Sequence, residues 1–147
     1  MTFEKIIETL GERLGIVLEN AGGAVAVEVD GEAVILQDAG ELLLLRAEIG
    51  EIPADAKEKI LSSAMEANYL YQGTGGATLA VNPADGALHL HKYNWMERLE
   101  VETLVDAIDK VADTAAAWRR MLSDCVRIKP SGGEGGGHFG EGGFMQV

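Results

Sequence analysis

Two histidines separated by one residue, His89 and His91, are the first side chains in this chain whose spacing could support chemistry. On a β-strand both rings point to the same face, which is a geometry that can chelate a metal ion. A closed zinc site needs four ligands, and the third histidine, His138, lies in a glycine-rich stretch. We therefore expect no metal ion and no other cofactor, and we interpret the pair as solvated strand histidines.

The glycine-rich loop Gly73–Thr78 is the second candidate, because the backbone amides of such a loop can surround an anion. A phosphate-binding loop follows a strand and opens a helix, so that the helix N-terminus faces the anion. Here a helical pattern precedes the loop and an alternating strand follows it. We expect Gly73, Gly75 and Gly76 to form a structural corner, and an anion-binding or enzymatic use of the loop remains the alternative.

Catalytic groups are otherwise scarce in the sequence. There is no H-E-x-x-H motif, no Walker lysine and no supported Ser-His-Asp order. Cys125 is the single cysteine, which allows no intrachain disulfide and suits a reducing cytoplasm. The net charge of −12 argues against nucleic acid and anionic membranes as partners, and it permits a basic partner. We expect a cytoplasmic protein that is not an enzyme.

The hydrophobic pattern predicts an α+β fold, and a length of 147 residues suggests one domain. The predicted order is helix, three antiparallel strands, helix, two-strand hairpin and helix (α-β-β-β-α-β-β-α). We expect this domain to cover residues 1–122 and residues 123–147 to form a flexible glycine-rich tail. The predicted bounds are Phe3–Leu14, Ala24–Val29, Glu32–Gln37, Glu41–Ile49, a helix from Pro53 to about Tyr71, Ala77–Val81, Ala87–Tyr93 and a last helix that ends near Leu122.

The second and third predicted strands are apolar on both faces, because Val34–Leu36 and Leu42–Leu45 are uninterrupted apolar runs. Three helices are too few to cover both faces of such strands. Exposed apolar area costs about 25 cal/mol per Å² relative to burial. We therefore expect part of this surface to meet another chain, either in a symmetric homodimer or with an extended polypeptide. A core that the chain covers by itself remains the alternative.

The stretch Ala67–Val81, which contains GTGGATLAV between an amphipathic helix and a hairpin, resembles the class I chaperones of bacterial type III secretion, the Tir chaperone family. The resemblance covers about Thr2 to about Leu122. It implies a homodimer that binds the N-terminal region of a secreted effector protein and keeps it soluble and competent for secretion. An adaptor dimer that binds a folded protein partner is a further alternative.

The resemblance also implies roles for particular residues of this sequence. The second helix and the strand after it build the dimer interface in the family, while the first helix and the sheet contact the effector. The implied interface residues are Met65, Asn68, Tyr69, Leu79 and Val81, and the implied effector-binding residues are Ile7, Val34, Leu36, Leu43 and Leu45.

Overall fold

The computed structural model describes residues 1–128 and confirms the predicted α+β fold and the order of its elements. Five strands form one antiparallel sheet in the order β1-β2-β3-β5-β4, so that β1 and β4 are the edge strands. The elements are α1 (Phe3–Leu14), β1 (Ala24–Val29), β2 (Glu32–Ala39), β3 (Leu42–Glu51), α2 (Lys57–Asn68), a 3-10 turn (Tyr69–Tyr71), β4 (Thr78–Val81), β5 (Ala87–Trp95) and α3 (Val101–Ile128).

The first hairpin shows why these strands adopt their register. Asp30 and Gly31 have φ angles of 50° and 83°, as a tight two-residue hairpin turn with positive φ at both positions requires. This turn pairs Val27 with Val34 and Val25 with Leu36. Because paired residues of antiparallel strands point to the same face, all four side chains lie on one face, and all four are buried.

Two compact units can be distinguished, and β3, β5 and α3 each contribute to both of them. The first unit comprises Met1–Ala47 and His91–Asp113, and the second comprises Glu48–Leu90 and residues 114–128. Each unit has its own aliphatic core. Buried in the first are Phe3, Ile6, Leu10, Val34, Leu36, Leu43, Leu45 and Leu104, and buried in the second are Ile60, Ala64, Leu79, Leu88, Leu90, Trp118 and Leu122.

The expectation that three helices cannot cover the strands between Val34 and Leu45 does not apply to the inner face of these strands. Val34, Leu36, Leu43 and Leu45 are each 0% exposed in the single chain. They belong to the inner face that the first hairpin sets, and the register of β2 with β3 pairs Leu36 with Leu45 on that face. Neither these four side chains nor their face is left uncovered.

The last helix extends to Ile128, beyond the predicted end near Leu122. Its apolar stripe continues through Trp118 and Leu122 to Cys125, and all three side chains are buried. Helical packing therefore persists past the residue at which the tail was expected to begin. The rest of the predicted tail lies outside the described residues. No helix within residues 1–128 is long and apolar enough to cross a membrane.

Candidate functional site

Close packing explains the glycine corner between α2 and β4. A Cβ atom on Gly73 would lie 2.6 Å from the Cβ of Ala67, a separation that real side chains do not tolerate. The indole N–H of Trp118, a fully buried residue, donates a hydrogen bond to the Gly73 carbonyl at 3.2 Å. Gly75 follows with φ of 61°, which favours glycine. The corner therefore has a structural reason for its glycines.

Three backbone amides of this loop donate to carbonyls of the chain itself. The N–H groups of Gly73, Thr74 and Ala77 donate to the carbonyls of Ala67, Tyr71 and Thr74 at 3.0, 3.4 and 3.2 Å. The Thr74 side chain is turned inward and is 1% exposed. A loop that binds an anion needs converging amides that are free of other acceptors. This geometry weighs against the anion-binding alternative.

The side chain of Asn68, at the end of α2, acts as a strand partner for β4. Its amide group donates to the Leu79 carbonyl at 3.0 Å, and its carbonyl oxygen accepts from the Leu79 N–H at 2.8 Å. Leu79 itself is only 4% exposed. Both residues were expected at a dimer interface. In the single chain the Asn68 side chain holds α2 against the edge strand β4 and occupies both backbone polar groups of Leu79.

The end of α2, the 3-10 turn and β4 carry exposed apolar side chains, and we call them the α2–β4 surface. Three of the five predicted interface residues are among them, together with two that the sequence analysis missed. The members are Met65 (72% exposed), Tyr69 (66%), Leu70 (71%), Tyr71 (55%) and Val81 (38%). Monomeric soluble proteins rarely leave large contiguous apolar patches uncovered.

Leu70 and Tyr71 combine their exposure with an unusual backbone. Their φ angles are 52° and 58°, in the left-handed region that non-glycine residues seldom adopt. Each such residue costs on the order of 1–3 kcal/mol, and it persists only where the surroundings impose it. The sequence carries one signal for them, which is an apolar Tyr-Leu-Tyr run between a helix and a glycine corner.

A second exposed apolar region, which we call the outer-sheet surface, lies on β3 and β5 within the first unit. The Met96 N–H donates to the Glu41 carbonyl at 3.0 Å. Counting back from that antiparallel bond places Leu42 beside Trp95 and Leu44 beside Tyr93. Trp95 and Tyr93 are 65% and 53% exposed, and the two leucines are half-buried.

The predicted effector-binding residues do not form this surface. Val34, Leu36, Leu43 and Leu45 lie on the opposite face of the sheet and are fully buried. Ile7 is also buried, although it lines a pocket of about 440 Å³ between α1 and residues 15–18. The assignment of these five residues to effector contact remains a prediction. Full burial makes the four strand residues poor contacts for a partner.

An ion pair joins the two helices of the first unit. The Arg13 guanidinium donates to both carboxylate oxygens of Glu102, at 2.5 and 3.1 Å. This hydrogen bonding and the positive charge lower the pKa of Glu102 below its ordinary value. Next to the pair, α1 and the start of α3 form a largely apolar groove of about 260 Å³, which includes Ile6, Leu99 and Leu104.

The remaining reactive side chains within residues 1–128 are His89, His91 and Cys125. His91 packs edge-on against Tyr93 with ring centroids 6.0 Å apart, and His89 faces Asp85 instead. Burial raises the pKa of the Cys125 thiol to about 11, with the nearby Asp124 charge adding to the effect. A thiol that stays protonated at neutral pH is a poor nucleophile.

Comparison with known proteins gives the fold and the family. A chain of the HopA1–SchA chaperone–effector complex superimposes with a TM-score of 0.65 at 20% identity, over 80% of this chain and 93% of that chain. A chain of the heterodimeric ExoU–SpcU complex from the type III secretion system of Pseudomonas aeruginosa gives a TM-score of 0.68 at 17% identity, over 80% of this chain and 98% of that chain. An uncharacterized protein from Methanothermobacter thermautotrophicus gives a TM-score of 0.55 at 12% identity, over 84% of this chain and 99% of that chain.

At these identities the structures establish the shared fold alone. A search of curated proteins found no match. The profile of the Tir chaperone protein (CesT) family matches residues 5–119, which is most of the chain. The chain therefore belongs to the Tir chaperone protein (CesT) family.

Proposed function

We propose that this protein is a type III secretion chaperone that binds the N-terminal region of an effector protein and keeps it soluble and secretion-competent. Family membership and the likeness to chains of chaperone–effector complexes support this function. The observation that carries it on this chain is the outer-sheet surface, an apolar and aromatic face that the described residues leave exposed. The work is binding without catalysis, in the cytoplasm.

The outer-sheet surface has the chemistry that an extended client segment requires. Trp95 and Tyr93 offer large, rigid apolar faces, and aromatic residues of this kind contribute most of the affinity at many interfaces. Leu42 and Leu44 complete a row of side chains at the spacing of neighbouring strands. The net charge of −12 favours a client segment with basic residues beside its apolar ones.

The chaperone acts as a homodimer in this proposal, with the α2–β4 surface as the interface. Five exposed apolar side chains on α2, the 3-10 turn and β4 supply the apolar contact that a symmetric dimer needs. Of the predicted interface residues, Met65, Tyr69 and Val81 contribute side chains. Asn68 and Leu79 contribute indirectly, because their hydrogen bonds hold the helix and strand that carry the others.

Co-expression with the product of the neighbouring open reading frame tests client binding. The chain should co-purify with that protein's N-terminal segment, which should be insoluble or protease-sensitive when expressed alone. Trp95→Ala should weaken binding by about 30-fold, because a buried aromatic anchor is worth about 2 kcal/mol or more. The matched control is Val17→Ala, since Val17 is 93% exposed and lies outside the outer-sheet surface.

Two results would contradict the proposal. One is equal binding by the Trp95→Ala and Val17→Ala variants, which would move the client away from the outer-sheet surface. The other is a partner segment that is folded and protease-resistant by itself, which would favour the adaptor dimer. An anion-binding enzyme would instead be favoured by a saturable thermal shift with phosphate or nucleotides.

A further inference from the structure

Three side chains from separate elements of the second unit converge next to the β4–β5 turn. Glu48 lies on β3, Asp85 lies in the turn and His89 lies on β5. One ligand atom from each falls within 4.8 Å of the other two. We propose that these three residues bind a divalent transition-metal ion, for which zinc is the best match. This site is independent of the chaperone function proposed above.

The histidine provides the strongest indication of a missing ligand. Its Nε2 atom is buried from solvent and makes no hydrogen bond to any described residue. A buried polar atom without a partner costs on the order of 1–3 kcal/mol, and native structures rarely contain one without a reason. The atom points towards the Asp85 carboxylate, whose Oδ2 is 3.7 Å away. That gap is too long for a hydrogen bond.

The same gap suits a shared ion. Zinc binds imidazole nitrogen and carboxylate oxygen at about 2.0–2.2 Å, so two ligands of one ion lie at most about 4.2 Å apart. His89 Nε2 and Asp85 Oδ2, at 3.7 Å, could therefore share an ion without moving. Glu48 is exposed and can rotate to supply the third ligand. A water molecule completes the four-coordinate geometry that open zinc sites use.

Hydrogen bonds around the cluster hold its ligands in place. The Ala87 N–H donates to Asp85 Oδ1 at 2.9 Å, which leaves Oδ2 directed at the histidine. Arg119 donates to the backbone carbonyl of Glu48 and fixes that part of β3. Outer contacts of this type orient metal ligands in known sites. One nitrogen and two carboxylates favour zinc and similar transition metals over calcium or magnesium, which prefer oxygen ligands alone.

Neighbouring histidines distinguish this set from the pair that the sequence suggested. His91 lies two residues further along β5 and packs against Tyr93, so it is not among the three convergent groups. His138 is in the glycine-rich C-terminal segment of the sequence. Both serve as controls, because each removes one histidine without touching the proposed ligands.

Calorimetric titration of zinc chloride into the full-length chain tests the site. We expect one zinc per chain, an affinity loss of about 100-fold for His89→Ala, and a loss of about tenfold or more for Asp85→Asn. Asp85→Asn keeps the acceptor for the Ala87 N–H, so its folding should be preserved. The His91→Ala and His138→Ala variants should bind as the parent does. Saturating zinc should also raise the thermal midpoint of the parent and leave that of His89→Ala unchanged.

Several outcomes would overturn the proposal. Zinc binding that persists in His89→Ala would indicate diffuse association with the acidic surface. An equal loss in His91→Ala would indicate the sequence-adjacent pair, and an equal loss in His138→Ala would indicate the C-terminal segment. The absence of saturable binding at millimolar zinc would leave the cluster as an ordinary contact between a histidine and carboxylates. Far-UV circular dichroism of each variant separates these outcomes from misfolding.

Discussion

Replacement of Met65 by arginine is the sharpest perturbation of the α2–β4 surface. Met65 is 72% exposed in the single chain, and full burial of a methionine is worth about 1.5–3 kcal/mol. Covering it in a dimer therefore contributes about 1–2 kcal/mol per copy, and a symmetric interface contains two copies. Arginine removes this gain and buries an unpaired charge at a cost of about 3–5 kcal/mol when fully enclosed. The dissociation constant of the dimer should rise by at least about 1000-fold, which corresponds to roughly 4 kcal/mol.

Sedimentation equilibrium across a range of protein concentrations measures this change. The folding of the single chain should be unaffected within about 0.5 kcal/mol, because the arginine remains in solvent in the monomer. Val17→Arg is the matched control, since it adds the same charge at a fully exposed position outside the surface. Unchanged dimerisation of Met65→Arg, or equal weakening by Val17→Arg, would refute the assignment of the interface.

The choice of position matters for this test. Leu79→Arg would place a charge in the core, where the side chain is 4% exposed, and would unfold the chain whether or not a dimer exists. Leu70→Gly is more informative, because glycine accepts the φ of 52° without strain while it removes an exposed apolar side chain. This variant should weaken the dimer and leave the single chain at least as stable.

Three further predictions concern the folding of the chain. Asn68→Ala should lower the free energy of unfolding by about 2–3 kcal/mol in urea titrations, because it leaves the Leu79 N–H and carbonyl unpaired. The control is substitution of another, exposed residue of α2 by alanine, which should have little effect. Cys125 should react with thiol reagents far more slowly in the native state than in urea, and rapid labelling of the native protein would contradict its burial. The contribution of the protonated Cys125 thiol to stability should disappear as the pH rises from about 9 towards its raised pKa of about 11. Arg13→Met should reduce the free energy of unfolding at neutral pH. The difference in stability between this variant and the parent should vanish as the pH falls below the ordinary carboxyl pKa of 4.5, because Glu102, whose pKa is lowered, stabilises the fold only while it is ionised. A difference in stability that persists in acid would argue against the ion pair.

The first hairpin shows how much of the fold the sequence could provide. Asp30-Gly31 predicted a two-residue turn, and such a turn by itself pairs Val27 with Val34 and Val25 with Leu36. Since alternation already grouped Val25 with Val27 on the apolar face of β1, the register could have assigned Val34 and Leu36 to the core. Counting helices against strand faces neglected this register and therefore did not separate the covered inner face from the outer face.

The outer-sheet surface was harder to predict. The run Leu42–Leu45 is apolar at every position, so a period of two cannot decide which leucines face inward. Pairing of Leu36 with Leu45 decides it, and that pairing depends on the tertiary register of β2 with β3. The exposed positions of Tyr93 and Trp95 likewise follow from their place on β5, which the predicted strand end at Tyr93 cut short.

Local strain and surface exposure coincide at the end of α2, and this coincidence gives the dimer hypothesis its physical basis. A helix that simply ended at Asn68 would not need two successive left-handed residues, and glycine could have filled both positions without cost. Leu70 and Tyr71 instead combine a strained backbone with apolar side chains directed into solvent. Strained residues of this kind cluster at ligand clamps and other functional sites. We therefore expect the second copy of a dimer to pack against Leu70 and Tyr71.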